Sequence, residues 1–192
     1  MPRTQEQFEA IRLKRREHIL QSALKVFAED GYHNASISKV SKEAGISKGL
    51  MYNYFESKEE LLQTLIGDYL DEENAKVVAL LKQPFTDEVF ADLIRLSVEV
   101  LKKNPLQWKL YMDMANRPEV REIMQDRYVE SQLLWVEKLT AFFTQRNAED
   151  PMMEIQFFAS TMTGLKVSYL MDPVNFPIDE MEKRMIKLFV GR

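Results

Sequence analysis

The sequence predicts an all-α protein of about nine helices. Apolar residues recur at spacings of three and four along most of the 192 residues, which is the period of an amphipathic helix. Only six glycines are present, too few for an all-β protein rich in tight turns. Several periodic segments also begin at a proline, whose missing N–H costs nothing in a first helical turn.

The first helix is expected at about residues 9–30. Ile19, Ala23 and Phe27 share one face of it, and Gly31 follows as a candidate left-handed C-terminal cap.

Two short helices are expected next, separated by a three-residue turn at Gly45 to Ser47. Ser36 and Ser47 are candidate N-caps, since a serine oxygen can accept a hydrogen bond from a free helical N–H. The residues expected to face inward are Ile37, Val40 and Ala44. Ser57 to Glu60 then fits a capping box, which opens a helix that continues to about residue 81.

Five further helices complete the prediction, each bounded by a capping threonine or by proline. They are expected at about residues 86–103, 106–115, 118–146, 151–171 and 178–190.

Several function classes are disfavoured by composition. The absence of cysteine excludes disulfides and thiolate zinc sites, and it agrees with a reducing compartment. With His18 and His33 as the only histidines, we find no catalytic triad, phosphate loop or metal-ligand spacing, so we expect no enzyme, no cofactor and no metal. The polar N-terminus and the lack of a long apolar run predict a cytoplasmic protein that does not enter a membrane.

Charge is distributed unevenly along the chain. Residues 1–58 hold ten Lys and Arg against seven Asp and Glu, a net of +3, which leaves −7 for the remainder of a chain whose total is −4. Cations in the first segment suit a polyanionic partner, because a nucleic-acid binder must replace counterions along the phosphates. The alternative is a chance distribution.

Two short helices joined through Gly45 and preceded by a supporting helix resemble a helix-turn-helix, whose second helix enters the DNA major groove. The second of these helices carries small, cationic and phenolic residues, including Lys48, Gly49, Tyr52 and Asn53. Such groups suit phosphates and base edges better than they suit a core.

The residues around this motif resemble the TetR family of transcription regulators. The matching segments are Phe27 to Tyr32, Ser36-Ile37 with Val40, Ala44 to Gly49, Tyr52 to Phe55 and Ser57 to Leu61. The resemblance implies a three-helix DNA-binding domain at residues 1–56 and a helical ligand-binding and dimerisation domain at residues 57–192. By resemblance, the positions expected to meet DNA are Ser36, Ser38, Lys48, Gly49, Leu50, Tyr52, Asn53, Tyr54 and Lys58.

Individual positions in this motif have specific expectations. Gly49 would allow close approach to DNA, and Leu50 replaces a small hydroxyl residue common in the family, which favours apolar contact with a thymine methyl. Phe55 is expected in the core, whereas Tyr52 fits either the core or a phosphate contact. The cations at residues 12–16 either solubilise the first helix or contact the DNA backbone.

The remaining helices are expected to hold an effector and to pair two chains. The resemblance implies a cavity among them, and the candidate lining residues are Trp108, Tyr111, Met112, Tyr128, Trp135 and Met162. It also implies a four-helix dimer interface from the last two helices, with candidate contacts at Ile155, Phe158, Ala159, Met162, Leu165, Met181, Met185 and Leu188. The alternative for these helices is an intrachain hairpin.

These expectations combine into one functional hypothesis. A homodimeric repressor would bind a near-palindromic operator on double-stranded DNA and release it when a small apolar or amphipathic effector binds. Activation and co-repression remain alternatives, as does a protein-binding scaffold that has lost DNA affinity.

Overall fold

The computed structural model describes residues 5–115 and 117–191, without the side chains of residues 118–120 and 122–126. The described chain is built from helices and contains no strand. The helices are α1 (Gln5–Asp30), α2 (Ile37–Glu43), α3 (Lys48–Tyr52), α4 (Lys58–Leu81), α5 (Asp87–Lys103), α6 (Pro105–Met114), α7 (Pro118–Gln145), α8 (Pro151–Met171) and α9 (Ile178–Phe189). The all-α prediction of about nine helices is therefore confirmed.

Helix ends are set by local chemistry that the sequence already indicated. Gly31 adopts a φ of +76° directly after α1, a conformation that a residue with a side chain rarely takes. Thr86 caps α5 by accepting a hydrogen bond from the Val89 N–H at 3.3 Å. Asp150 caps α8 in the same way, with its Oδ1 3.0 Å from the Met153 nitrogen.

Contacts between helices divide the described chain into two compact units. The first comprises residues 5–69 and 106–115, and the second comprises residues 70–105 and 117–191. These units are defined by how densely their residues contact one another. The expected boundary between residues 56 and 57 separates a DNA-binding from a ligand-binding domain, and it stays a prediction. The division falls within α4, because Tyr69 belongs to the first unit and Leu70 to the second.

The first unit packs α1, α2 and α3 around a small apolar core. Phe27 and Phe55 are each 1% exposed, and Val40 and Met51 are fully buried. Phe27 also meets the ring of Tyr32 edge-on, with ring centroids 5.3 Å apart. Such aromatic pairs add stability beyond the area they bury, which helps a core this small.

The second unit has a larger core centred on Phe90 of α5. The Phe90 ring is completely buried and lies 5.0 Å from Phe142 of α7 and 4.9 Å from Phe158 of α8, measured between ring centroids. Phe189 of α9 contacts the same cluster through Phe158, at 5.2 Å. Four helices of this unit thus share one aromatic core.

Candidate nucleic-acid interface

Two serine caps and a glycine turn position α3. Ser36 Oγ accepts a hydrogen bond from the Lys39 N–H at 3.2 Å and begins α2. Gly45 then takes a φ of +63°, which lets the chain reverse direction, and Ser47 Oγ accepts from the Leu50 N–H at 3.1 Å to begin α3. Both predicted N-caps and the predicted turn are therefore confirmed.

A helix of five residues is not stable alone, so α3 depends on packing against the rest of the first unit. Met51 is fully buried and Phe55 is 1% exposed, so the inner face of this segment is anchored in the core of the first unit. Phe55 is thus a core residue, as expected. The opposite face is left free for contact.

The exposed face of α3 collects most of the residues expected to meet DNA. Lys48, Gly49 and Asn53 are exposed, and Tyr52 keeps 47% of its surface accessible. Leu50 and Tyr54 are half-buried beside them. Tyr52 therefore does not belong to the core, which was one of its two expected positions, and its contact with a phosphate stays a prediction.

Lys48 is the cation of this face. Its Nζ lies 6.0 Å from the centroid of the Tyr52 ring, and it forms no ion pair with any residue that the structure describes. An ammonium at this distance from an aromatic ring is weakly attracted to it but keeps its hydrogen bonds for other acceptors. Ser36, the N-cap of α2, and Ser38 within α2 are exposed as well.

Lys58 occupies a different environment from Lys48. Its Nζ donates to the carbonyl oxygens of Tyr32 at 2.9 Å and Ala35 at 3.1 Å, and it lies 4.4 Å from the centroid of the Tyr32 ring. These bonds tie the start of α4 to the segment between α1 and α2. A phosphate contact at Lys58 would have to share or replace one of them.

The N-terminal half of α1 is largely exposed. Arg12, Lys14 and Arg15 lie in solvent, so neither of the two expectations for the cations there is excluded. Arg16 is an exception, since its guanidinium lies 5.3 Å from the centroid of the Phe55 ring and 3.5 Å from the Asp68 carboxylate. Sequence reasoning missed this structural role, because Arg16 stands in a run of cations.

The six candidate effector residues fall in both units. Trp108, Tyr111 and Met112 belong to α6 of the first unit, where Trp108 meets the rings of Tyr111 at 5.5 Å and Tyr69 at 6.3 Å. Burial raises the pKa of Tyr111. Tyr128, Trp135 and Met162 belong to the second unit, where Trp135 stacks on Phe158 at 6.2 Å.

Most candidate dimer residues are enclosed by their own chain. Those that are buried are Ile155, Phe158, Met162, Leu165 and Met185. The first four lie on α8 and are buried because α8 turns this face toward the aromatic core of its own unit, whereas Met185 is a buried residue of α9. Ala159 and Leu188 are exposed and Met181 is partly so. On the outer side of α8, Phe157 is 49% exposed and Met153 is 60% exposed, and the sequence analysis did not single out either.

A polar cluster in the second unit also escaped the sequence analysis. The Asp71 carboxylate of α4 accepts a hydrogen bond from the Tyr128 hydroxyl at 2.8 Å and forms an ion pair with the Arg127 guanidinium, both on α7. In the sequence, Asp71 opens the acidic run Asp71-Glu72-Glu73, which looks like a solvated helix face. Nothing local in the chain indicates its distant partners.

Two kinds of site are not found in the part of the chain that the structure describes. No three His, Asp or Glu side chains gather closely enough there to hold a metal ion. None of the described helices combines the length and the apolar character needed to span a bilayer.

Comparisons with known proteins match the chain to one family. Residues 19–65 match the model of bacterial regulatory proteins of the tetR family. The HTH-type transcriptional regulator UidR of Escherichia coli K12 is 28% identical over 136 residues, which cover 68% of this chain and 63% of UidR. The fatty acid metabolism regulator protein of Bacillus subtilis is 38% identical over 71 residues, 34% of this chain and 37% of that protein.

The fold extends the likeness over nearly the whole chain. The crystal structure of the transcriptional regulator FadR from Bacillus subtilis in complex with stearoyl-CoA superposes with a TM-score of 0.70 at 21% identity, covering 91% of this chain and 97% of that one. The matched proteins are regulators, which agrees with the expectation that this chain is not an enzyme. The helix-turn-helix geometry and the family model agree over the same segment, and residues 19–65 form a helix-turn-helix domain of the type found in bacterial regulatory proteins of the tetR family.

Proposed function

We propose that the protein is a DNA-binding transcription repressor that acts as a homodimer and is released from its operator by a small amphipathic effector. The observation that carries the proposal is the exposed face of α3. Lys48, Tyr52 and Asn53 are presented to solvent there while Met51 and Phe55 fix the same segment from beneath. A rigidly mounted helix with an uncommitted cation is what major-groove recognition requires.

Each side chain of this face has a role in the proposal. Lys48 and Tyr52 contact phosphates, and Asn53 and Leu50 reach base edges, with Leu50 against a thymine methyl. At the start of α2, Ser36 and Ser38 provide hydroxyl groups that donate to the DNA phosphates. The Ser36 oxygen already accepts from Lys39, but its hydroxyl hydrogen remains able to donate to a phosphate.

Dimerisation is proposed because one copy of α3 reads only half of a near-palindromic site. Two copies must lie about 34–36 Å apart to enter successive major grooves. The outer face of α8 supports this role, since exposed Phe157 and Met153 share it with the small exposed residues Ser160 and Gly164. Apart from its two chain neighbours and the nearby backbone of α8, no described atom lies within 4 Å of a Cβ placed on Gly164, so a second helix has room to cross closely there.

An amphipathic effector is the proposed ligand class. The second unit contains the half-buried Trp135 and the buried Met162 as apolar side chains, together with the Tyr128 hydroxyl. Support also comes from a relative, since the Bacillus subtilis regulator of similar fold was crystallised with stearoyl-CoA. Effector binding that favours a conformation with poor operator affinity would release the DNA, and linkage requires the operator to weaken effector binding equally.

Selection of bound duplexes from a random library tests the DNA-binding proposal. The full chain should enrich a near-palindromic sequence, and Lys48→Ala and Tyr52→Ala should each weaken binding to it without lowering the unfolding temperature. Lys82→Ala removes the same charge just after α4, so it serves as the matched control and should bind like the parent protein. Absence of any enriched duplex, or equal losses in Lys82→Ala and Lys48→Ala, would instead favour a scaffold without DNA recognition.

A further inference from the structure

Within the second unit, the first residues of α4 are held by contacts with α7. The first unit ends within α4 at Tyr69, and the second begins at Leu70. One residue further on, the Asp71 carboxylate accepts the Tyr128 hydroxyl at 2.8 Å and pairs with Arg127. Asp71 therefore joins α4 to α7 close to the point where the second unit begins.

The two α7 groups form a donor pair suited to an oxyanion. The Arg127 guanidinium supplies fixed positive charge, and the Tyr128 hydroxyl supplies a directed hydrogen bond. Tyr128 is 5% exposed, and its burial, followed by the hydrogen bond to Asp71, raises the pKa of the phenol. The hydroxyl therefore keeps its proton and stays a donor at neutral pH.

The anion that now fills this pair is accessible from solvent. The Asp71 side chain retains 44% of its accessible surface and that of Arg127 retains 46%. Ion pairs this exposed contribute little net stability, because water competes for both charges. Another carboxylate or a phosphate can consequently exchange with Asp71, while the buried Tyr128 stays in place to receive it.

We propose that Arg127 and Tyr128 form the anion-binding part of the effector site, and that Asp71 occupies it when no effector is bound. The inference rests on the proposed ligand-responsive function and deepens it, since the effector must then carry an oxyanion beside its apolar part. Effector binding detaches Asp71 from α7 and frees α4 at the point where it leaves the second unit. Along the chain, α4 follows directly on α3, so the released helix is the one that carries the signal.

Competition between Asp71 and the effector gives variants with effects of opposite sign. Decanoate, decyl phosphate and 1-decanol serve as probes with one tail and three headgroups, and calorimetry on the full chain measures their affinities. The parent protein should prefer an anionic probe, and the stronger of the two identifies the headgroup. D71N removes the internal competitor and should bind that probe at least about fivefold more tightly, whereas Y128F should bind it about fivefold or more weakly.

Glu72→Gln provides the matched control for a general loss of negative charge. Glu72 neighbours Asp71 on α4 but pairs with Lys76, so its neutral variant should bind the probes like the parent protein. A D71N affinity that is unchanged or lower, or equal to that of Glu72→Gln, would overturn the inference. Equal binding of all three probes would overturn it too while leaving an amphipathic effector intact, whereas binding of none would contradict both.

Discussion

At the scale of single residues, Gly31 and Gly49 are expected to serve different purposes, the first in folding and the second in DNA binding. Gly31 has a φ of +76°, which a side chain would strain, whereas Gly49 lies in α3 without such a φ. Apart from its chain neighbours and the nearby backbone of α3, a Cβ on Gly49 would meet no described atom within 4 Å. The space around position 49 therefore does not require glycine, whereas the proposed close approach of DNA would.

The two alanine variants should consequently move stability in opposite directions. Gly31→Ala should lower the free energy of unfolding by about 1–2 kcal/mol, because an L-residue in the left-handed region is strained. Gly49→Ala should raise it by up to about 1 kcal/mol, since alanine is the better helix former, while weakening operator affinity. Denaturant unfolding and anisotropy with a labelled operator measure the two effects, and unchanged operator affinity in Gly49→Ala would contradict close approach.

Lys166 makes stability depend on pH in alkaline solution. Burial lowers its pKa to about 8, although the carboxylate of Glu73 opposes that shift. Below pH 8 the lysine is charged in both the folded and the unfolded state, and burying the charge lowers the free energy of unfolding. Above pH 10.5, the pKa of the unfolded state, the lysine is neutral in both states. This destabilisation therefore disappears as the pH rises from 8 to 10.5.

Replacing this lysine isolates its contribution from other groups that titrate in the same range. Lys166→Met should be more stable than the parent protein at pH 7, by on the order of 1–3 kcal/mol. The difference should shrink toward pH 10.5, as followed by urea unfolding at several pH values. A difference that stays constant with pH would show that the burial of charge is not its cause.

At the scale of elements, hydrophobic period predicted where helices lie and which faces α1 and α2 bury, but not which face α8 buries. Most helix ends fall close to the predicted residues, because serine, threonine, aspartate, proline and glycine signals act locally. The exposed first turn of α1, from Gln5, was missed because it lacks an apolar stripe. In α8, apolar residues lie on both faces, and only packing against Phe90 reveals that Phe158 faces inward.

The neighbouring phenylalanines of α8 should therefore fail in different ways when truncated. Phe158→Ala should cost about 3–5 kcal/mol of stability, because it empties a ring position in the aromatic core. Phe157→Ala, 49% exposed in one chain, should leave the fold intact and weaken dimerisation. Sedimentation over a range of concentrations measures this, and an undiminished dimer in Phe157→Ala would place the interface elsewhere.

At the scale of the whole molecule, charge and function are divided along the chain. The segment 1–58 carries a net +3 and the rest −7, and the exposed α3 face lies in the positive segment. The position of that face was predictable, because caps, turn and recognition residues are contiguous in sequence. The Asp71 cluster was not, because its partners are 56 and 57 residues away.

The dependence of operator affinity on salt tests the central claim most directly. If Lys48 contacts a phosphate, binding releases a counterion there, and the logarithm of affinity falls with the logarithm of salt concentration. For a selected operator, Lys48→Ala should reduce the magnitude of that slope by about 1 per contact, and Lys82→Ala should leave it unchanged. A slope identical in the parent protein and Lys48→Ala would contradict the assignment of the α3 face to DNA.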